Sequence, residues 1–482
     1  MTALVDTSPG DNSITIVGAG FSGTILAVHL LRYAPPDLEQ LYLVERAEGR
    51  VGGVAYRTRS ASHTLNVPAA RMSAFEEDPD DFLRFIRRRE PALTGGSFVP
   101  RRMYGEYLAE TLDDARRLSS TPLVRVSGEV VSVEHLPEGV ELGLADGRRL
   151  VTGRGVLAIG NYPPSNPSVG NDSVFTSIRY ACDPWAGDAL ELDPQEDVLL
   201  VGTGLTMCDV ALALRDHDQQ GRIHAISRRG LLPQPHRLSA KPPPHLDRPE
   251  KIDEWPSTAV GLLRGLRREV RDRAVDGVDW REVVTSIRAD TPALWQRLDA
   301  RERSRFLRHA RPYWETHRHR SSPEAAHAIQ ELAETGRLNV IAGRLEALAA
   351  DNDGVVATFR RRGSQTGERL RVGKVINCTG PDTDLTRVRD PLVVSLRDAG
   401  LIRPDELGLG LDTDPAGRII AADGRVDEYL TLVGPLRKGG LWEHTAVPEL
   451  RVEVERVADR LAREVSSGSR TRELVDERSA DG

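Results

Sequence analysis

The 482-residue sequence predicts an α/β fold made of two units, each wound strand, glycine turn, helix, strand. Three observations lead there. Two glycine turns of the same design stand near the N-terminus and near residue 200. Each follows a short β-branched run and opens an apolar helix. Each unit then carries an alternating segment and a strand that ends in small residues and glycine.

The first turn lies in Ile14-Thr-Ile-Val-Gly-Ala-Gly-Phe-Ser-Gly23, followed by Thr24–Leu31. Gly18 permits the tight turn, Gly20 lets backbone approach a pyrophosphate, and Gly23 allows close helix–strand packing. Phe21 and Ser22 begin the helix, whose N-terminus faces the anion. A second strand, Leu41–Val44, ends in Glu45, placed to accept hydrogen bonds from a ribose, with Arg46 beside it. The strand–turn–helix–strand context that such a motif requires is complete.

The second turn lies in Asp197–Met207, where Gly202 and Gly204 repeat the first two glycines and Leu205 and Thr206 open the helix. Met207 stands at the third position and is expected to loosen the helix–strand approach. The next strand, Ile223–Ile226, ends in Ser227-Arg228-Arg229 where an NAD-selective site would carry an acid. A hydroxyl and two guanidinium groups suit a 2′-phosphate, so this unit reads as an NADPH site.

Alternation over Leu123–Leu150 leads into Gly155–Gly160, and alternation over Val340–Val372 leads into Lys374–Gly380. Two Rossmann-like dinucleotide-binding domains with β-meanders describe a two-domain flavoprotein that holds FAD and NADPH. By chain order, residues 1–165 and 381–482 form the FAD unit and residues 166–380 the NADPH unit. Residues 242–334, rich in Arg, Glu and Trp, read as a helical insert capping the NADPH unit. In the tail, Leu430–Gly434 reads as a last strand. Thr445 reads as the cap of a helix with an apolar stripe at Val447, Leu450, Val454, Val457 and Leu461. Residues from about Ser466 read as a polar, disordered end.

Composition sets limits on function. The chain is 39% hydrophobic and 28% charged, enough for a folded protein of about two or three domains. A net charge of −7 argues against a dedicated nucleic-acid binder. Cys182, Cys208 and Cys378 are far apart, which excludes a disulfide scaffold and a redox C-x-x-C pair. Cys208 and Cys378 lie in apolar surroundings and read as buried. No metal site is expected. Met1–Asn12 lacks the features of a signal peptide, and no stretch reaches the ~18 apolar residues of a membrane span. The expected location is the cytoplasm, without nucleic-acid or membrane partners and with self-association left open.

Several segments together resemble the YdhS-like bacterial FAD/NAD(P)-binding proteins. They are Gly18–Gly23, Leu65–Phe75, Phe98–Gly105, Val201–Met207, Ser227–Pro233, Arg311–Arg320 and Gly434–Glu443. The resemblance covers nearly the whole chain and makes Met207 an ordinary feature of the group. It implies flavin-dependent, NADPH-oxidising monooxygenation of a small molecule with O₂. Relatives of known role include enzymes that N-oxidise aspartate towards nitrosuccinate and enzymes that hydroxylate urate. L-aspartate or another small amine is therefore the first substrate candidate and urate-like ring hydroxylation the alternative. A non-oxygenating reductase or redox sensor is the reading from a different class. The segment Phe175–Trp185 matches only the ends of the signature of Baeyer–Villiger and N-oxidising flavoenzymes, with Ser177 and Ala181 in place of its glycine and histidine.

Candidate residues follow. Asn66, Pro68, Arg71 and Met72 are expected along the flavin, with Asn66 and Arg71 also facing substrate. Arg71 suits a phosphate or a carboxylate. Arg101, Arg102 and Tyr104 are expected near the FAD adenosine or pyrophosphate. Gly160, Gly380 and Gly434 close the strand ends, Arg437, Lys438, Trp442, Glu443 and His444 are expected to touch the flavin or substrate, and Thr445 to cap the helix aimed at the flavin. His317, next to Arg318 and His319, is the candidate general base.

Overall fold

The computed structural model describes residues 12–33, 35–46, 51–58, 60–170, 172–239 and 245–480, with side chains described as far as 466. The first residues of the N-terminal segment and the start of the expected insert lie outside this range.

Two twisted sheets carry the chain. The first has six strands, drawn from both ends of the sequence. Ser13–Val17 lies between Gln40–Glu45 and Arg154–Leu157, with Leu123–Ser127 beyond the one and Val426–Leu432 and Arg418–Ile420 beyond the other. All pairings are parallel except the last. Leu123–Ser127 thus joins this sheet, in register with Leu41–Glu45, and the three-stranded meander begins only at Val130. Alternation alone does not distinguish an edge strand of a parallel sheet from the first arm of a hairpin.

The second sheet has seven strands. Its 14-residue strand Leu338–Asp351 serves two partners. Leu338–Ala342 pairs parallel with Ile223–Ser227, and Gly343–Asp351 pairs antiparallel with Gly354–Arg361, with a bulge between Leu345 and Ala347. The expected meander is therefore continuous with the main sheet, bent at the bulge.

The turns repeat at atomic detail. Gly18 N donates to Val44 O (2.9 Å) and Ala158 N to Val17 O (2.9 Å). In the second unit Gly202 N donates to Ile226 O (2.8 Å) and Cys378 N to Val201 O (2.8 Å). Gly18 and Gly202 have φ of +110° and +115°, and a Cβ at either would run into the carbonyl oxygen of Ala158 or Cys378. Gly23 is pressed against the Gly18 carbonyl. Its counterpart Met207 is fully buried instead, in a core cluster that also holds Cys208 and Cys378. Burial pushes the Cys208 thiol up to about 12, which suits an inert packing residue.

Residues 259–318 form five helices, Ala259–Ala274, Trp280–Ser286, Thr291–Gln296, Ala300–His309 and Arg311–Arg318. Pro323–Glu334, expected as part of this insert, is instead the crossover helix between the parallel strands Ile223–Ser227 and Leu338–Ala342, and it packs on Leu205–Asp216. The insert is also more than a cap on the second unit, because it closes onto the tail of the first. Trp295 stacks on Trp442 at 4.6 Å and donates its Nε1 to Gly439 O (2.8 Å). Val447–Ala480 is one helix, so the tail expected to be disordered from Ser466 continues as helix. Ala446, rather than Thr445, supplies the carbonyl that closes its first turn, accepting from Leu450 N at 3.0 Å.

Among the described residues, no helix is long and apolar enough to cross a membrane, and no group of three or more His, Cys, Asp or Glu could hold a metal ion.

Candidate active site

The helices Phe21–Arg32 and Leu205–Asp216 begin directly after Gly20 and Gly204. Neither has a side-chain cap or an acid in its first turn. Their first amide groups are therefore free to meet an anion. A Cβ on Gly20 or on Gly204 would meet nothing within 4 Å, so space lies over both helix ends where a pyrophosphate would pass. Leu205 and Thr206 are half-buried at the second mouth, and Phe21 and Ser22 are buried at the first. Ser22 Oγ lies 3.2 Å from where a Gly434 Cβ would stand, which brings the tail against the first turn. Gly160 and Gly380, at positive φ, leave open space beyond the strands that precede them. This donor set fits the two dinucleotides.

Glu45 ends its strand half-buried, with Arg125 at 3.5 Å and Arg57 at 3.9 Å. Burial raises its pKa against the pull of the two arginines. Arg46 is engaged elsewhere, in ion pairs with Asp390 and with Glu129 (3.2 Å). In the second unit Ser227 Oγ is taken by Thr203 Oγ1 (2.8 Å) and Gly230 N (2.9 Å), so it shapes the turn. Arg228 is exposed, and Arg229 lies 5.3 Å from the Tyr313 ring centroid.

Other expected residues fall differently. Met72 is only 2% exposed and packs in the core of the first unit. Trp442, also 2% exposed, packs against Trp295 and Phe306. Neither presents a side-chain surface to a cofactor. Arg102 is exposed, Tyr104 is fully buried among aromatic rings, and Arg101 pairs with Asp209 of the second unit at 2.7 Å. Thr445 lies just before the last helix. His317 is exposed, with Nδ1 2.8 Å from Tyr313 O and its ring on Trp280. Alternate positions at the end of a helix point to different sides, and this places His319 inward and His317 outward.

A cavity opens where the first unit, the second unit and the insert meet. Asn66, Pro68 and Arg71 line it from the first unit, His236 from the second, and Arg288, Arg318, His319 and Arg320 from the insert and its end. The strip Gln234–His236 is held against the insert's end by His236 N to Ser321 O (3.0 Å) and Gln234 N to Thr316 O (2.9 Å). His236 Nε2 lies 3.0 Å from Asn66 O, which joins the two units at the cavity wall. A separate groove on the last helix, lined by Arg456, Arg460 and Glu464, is remote from these residues in sequence and in lining.

The cations divide into paired and unpaired. Arg288 pairs with Glu449, and Arg318 Nη2 lies 3.1 Å from the same carboxylate. Arg71 and Arg320 have no carboxylate partner among the described residues. Arg320, 7% exposed, donates to Arg281 O (3.2 Å) and Thr285 Oγ1 (3.0 Å) and lies 5.9 Å from the Trp280 ring centroid, and its Nε is buried without a hydrogen-bond partner. Burial, with Arg318, Arg281, Arg288 and Arg71 around it, lowers the Arg320 pKa to about 9. Burial and Arg288 lower that of Arg71 as well. Burial, reinforced by Arg320, brings His236 down to about 3, so its ring is neutral at working pH. Mutually repelling, desolvated guanidinium groups of this kind have the charge and donor geometry that suit a carboxylate or similar oxyanion.

Sequence reasoning named Asn66, Pro68 and Arg71, three of the four lining residues from the first unit's loop. It missed His236, Thr285 and Arg288. The rigid Pro233-Gln234-Pro235 run before His236 was a usable signal, whereas nothing local marks Arg288 among so many arginines.

Known proteins extend this picture. Residues 15–162 match an FAD-NAD(P)-binding family model. The N-terminal unit is an FAD/NAD(P)-binding domain. No curated protein matches the sequence. Among solved structures, the chain is similar to L-lysine 6-monooxygenase from Pseudomonas syringae, with a TM-score of 0.64 and 16% identity over 93% of this chain and 99% of that one. It is similar to the reduced form of ornithine hydroxylase from Pseudomonas aeruginosa, with a TM-score of 0.62 and 18% identity over 94% and 98%. The ornithine N-hydroxylase of Kutzneria sp. 744, solved with reduced FAD, NADP⁺ and L-ornithine, gives 0.59 and 15% over 94% and 99%. At these identities the likeness is one of fold.

Proposed function

We propose that the protein is an FAD-dependent, NADPH-oxidising monooxygenase of the YdhS-like group that N-oxygenates a small amine bearing one or more carboxylates, with L-aspartate as the first substrate to test. The observation that carries this reading is the cavity at the junction of the two dinucleotide units, where Arg71 and Arg320 lack carboxylate partners. When bound, FAD supplies hydride acceptance from NADPH and activation of O₂. The chain's own residues supply the rest. The amides after Gly20 and Gly204 hold the two pyrophosphates. Arg228 and Arg229 hold the 2′-phosphate, and Glu45 the FAD ribose. Arg71 and Arg320 grip substrate carboxylate, and His236 and Asn66 keep the wall closed between units.

Solved neighbours of the same fold are named for ornithine and lysine, which carry a second ammonium group. A wall of arginines repels such a group, and this favours an acidic side chain at the same place. The substrate and O₂ are the small-molecule partners, and the cytoplasm is the proposed location.

The test is rapid mixing of NADPH-reduced, FAD-loaded protein with oxygen while following flavin absorbance. A transient spectrum distinct from both reduced and oxidised flavin, whose decay L-aspartate accelerates, is the expected result. Direct return to oxidised flavin with every amine, amino acid and purine tried would turn the reading towards an oxidase, a reductase or a sensor.

A further inference from the structure

Reaction at nitrogen requires a free electron pair, and an amino group is protonated near neutral pH. The site therefore needs a proton acceptor beside the bound amine. His319 lines the cavity, and its Nε2 lies 3.1 Å from Glu443 Oε2. Glu443 is 2% exposed and holds a left-handed backbone, φ +74°, one of two non-glycine residues at positive φ among the described residues. Such a conformation is costly for a non-glycine residue and persists only where its surroundings impose it. Its carboxylate is held from the other side by Trp314, which donates Nε1 to Glu443 Oε1 at 2.9 Å. Burial raises the Glu443 carboxyl, but the adjacent His319 ring with the charges of Arg318 and Lys438 outweighs it and lowers it overall.

We infer that His319 is the proton acceptor for the substrate amine and that Glu443 is its positioning residue. This inference rests on the proposed N-oxygenation. The Glu443 carboxylate, 3.1 Å from Nε2, favours the proton on that nitrogen and so the tautomer whose Nδ1 carries the lone pair. Among the described residues, Nδ1 of His319 takes no protein hydrogen bond. The substrate N–H bond breaks, its electron pair stays on nitrogen, and the proton bonds to Nδ1. The resulting imidazolium is stabilised by the Glu443 carboxylate. His319 is partly exposed, at 28% of its side chain, and passes the proton on to solvent. The other charged or titratable groups around the dyad are Arg71, His236, Arg288, Arg318 and Arg320 on the cavity wall, with Lys438, Glu449 and His444 behind it. Glu449 is taken up by Arg288 and Arg318, and Glu443 is the carboxylate that meets the ring. The arrangement is a base oriented by a buried carboxylate, as in other base–carboxylate pairs.

The experiment measures N-oxidised product per NADPH consumed, with L-aspartate, from pH 6 to pH 10. It compares the FAD-loaded wild type, His319→Gln and Glu443→Gln, with flavin content as the check on folding. At neutral pH His319→Gln is expected to lower product per NADPH by at least about tenfold, the lost turnover appearing as hydrogen peroxide. The deficit should close towards pH 10, where the amine loses its proton unaided. Glu443→Gln should shift the same profile to a smaller extent. It decides the matter if His319→Gln does not retain flavin. Product from the wild type with an unchanged profile in the variants overturns the inference alone. Absence of N-oxidised product from the wild type overturns the proposed function and this inference together.

Discussion

Arg318 Nη2 lies 3.1 Å from Glu449 Oε1, and both side chains are more than nine-tenths buried. The pair ties the end of the helical insert to the last helix of the chain. Removing the carboxylate leaves Arg318 and Arg288 facing each other in a desolvated wall. Glu449→Ala is expected to cost about 3–5 kcal/mol of stability, the range for breaking a buried pair. Thermal unfolding of the FAD-loaded protein checks it.

Acid should loosen the same junction. His236, lowered to about 3 by burial and by Arg320, is neutral when folded but protonates near its ordinary value when unfolded. The unfolded state thus binds the extra proton between these two values. Stability rises with pH across that window and falls as pH drops through it, by up to about 1.4 kcal/mol per pH unit. Glu449 adds to the fall at lower pH. Burial raises its carboxyl, but the hydrogen bond and charge of Arg288 with the charge of Arg318 lower it overall. Its stabilisation is present above the ordinary carboxylate pKa and is lost as pH falls through its folded value. Denaturant midpoints from pH 7 to pH 3 should be less pH-dependent in His236→Asn.

Gly20 and Gly18 should respond differently to a side chain. Nothing stands within 4 Å of a Cβ at Gly20, so Gly20→Val should fold and lose FAD. Gly18→Val drives a Cβ into the Ala158 carbonyl from φ +110° and should fail to fold. Flavin content and circular dichroism of both variants separate the outcomes. Unchanged flavin in Gly20→Val would reject the site.

Replacing Arg228 and Arg229 together with Ala should weaken NADPH by about tenfold or more relative to NADH, the loss of one to two kcal/mol of charge-assisted bonding. Ser227→Ala should weaken both coenzymes alike, because its hydroxyl holds the turn through Thr203 and Gly230. Flavin-reduction rates against coenzyme concentration give both affinities.

Arg71→Ala and Arg320→Ala should each raise the KM for a carboxylate-bearing amine about tenfold or more. The competitive effect of succinate should weaken in parallel. Equal inhibition of wild type and variants by succinate would remove the carboxylate assignment.

Local chemistry made the two nucleotide turns readable before any fold was known. Gly18, Gly20 and Gly23 act within a few residues of one another, as do Gly202 and Gly204, and the steric demands of a tight turn are written into consecutive positions. The same holds for Glu45 at a strand end and for the stripe of the last helix. Alternation over residues 123–150 was less informative, because period-two patterning is common to hairpins and half-buried parallel edges. The cavity depends on distance in sequence instead. Asn66, His236, Arg320 and Ala446 meet only because the insert folds back across both sheets and Trp295 docks on Trp442. In an arginine-rich chain no local pattern separates Arg71 and Arg320, left without carboxylates, from Arg288 and Arg318, neutralised by Glu449. The inward turn of His319 rather than His317 is likewise set by helix phase and by packing against Glu443. Charge pairing and side-chain direction are properties of three-dimensional neighbours, and those were decided when the insert closed on the tail.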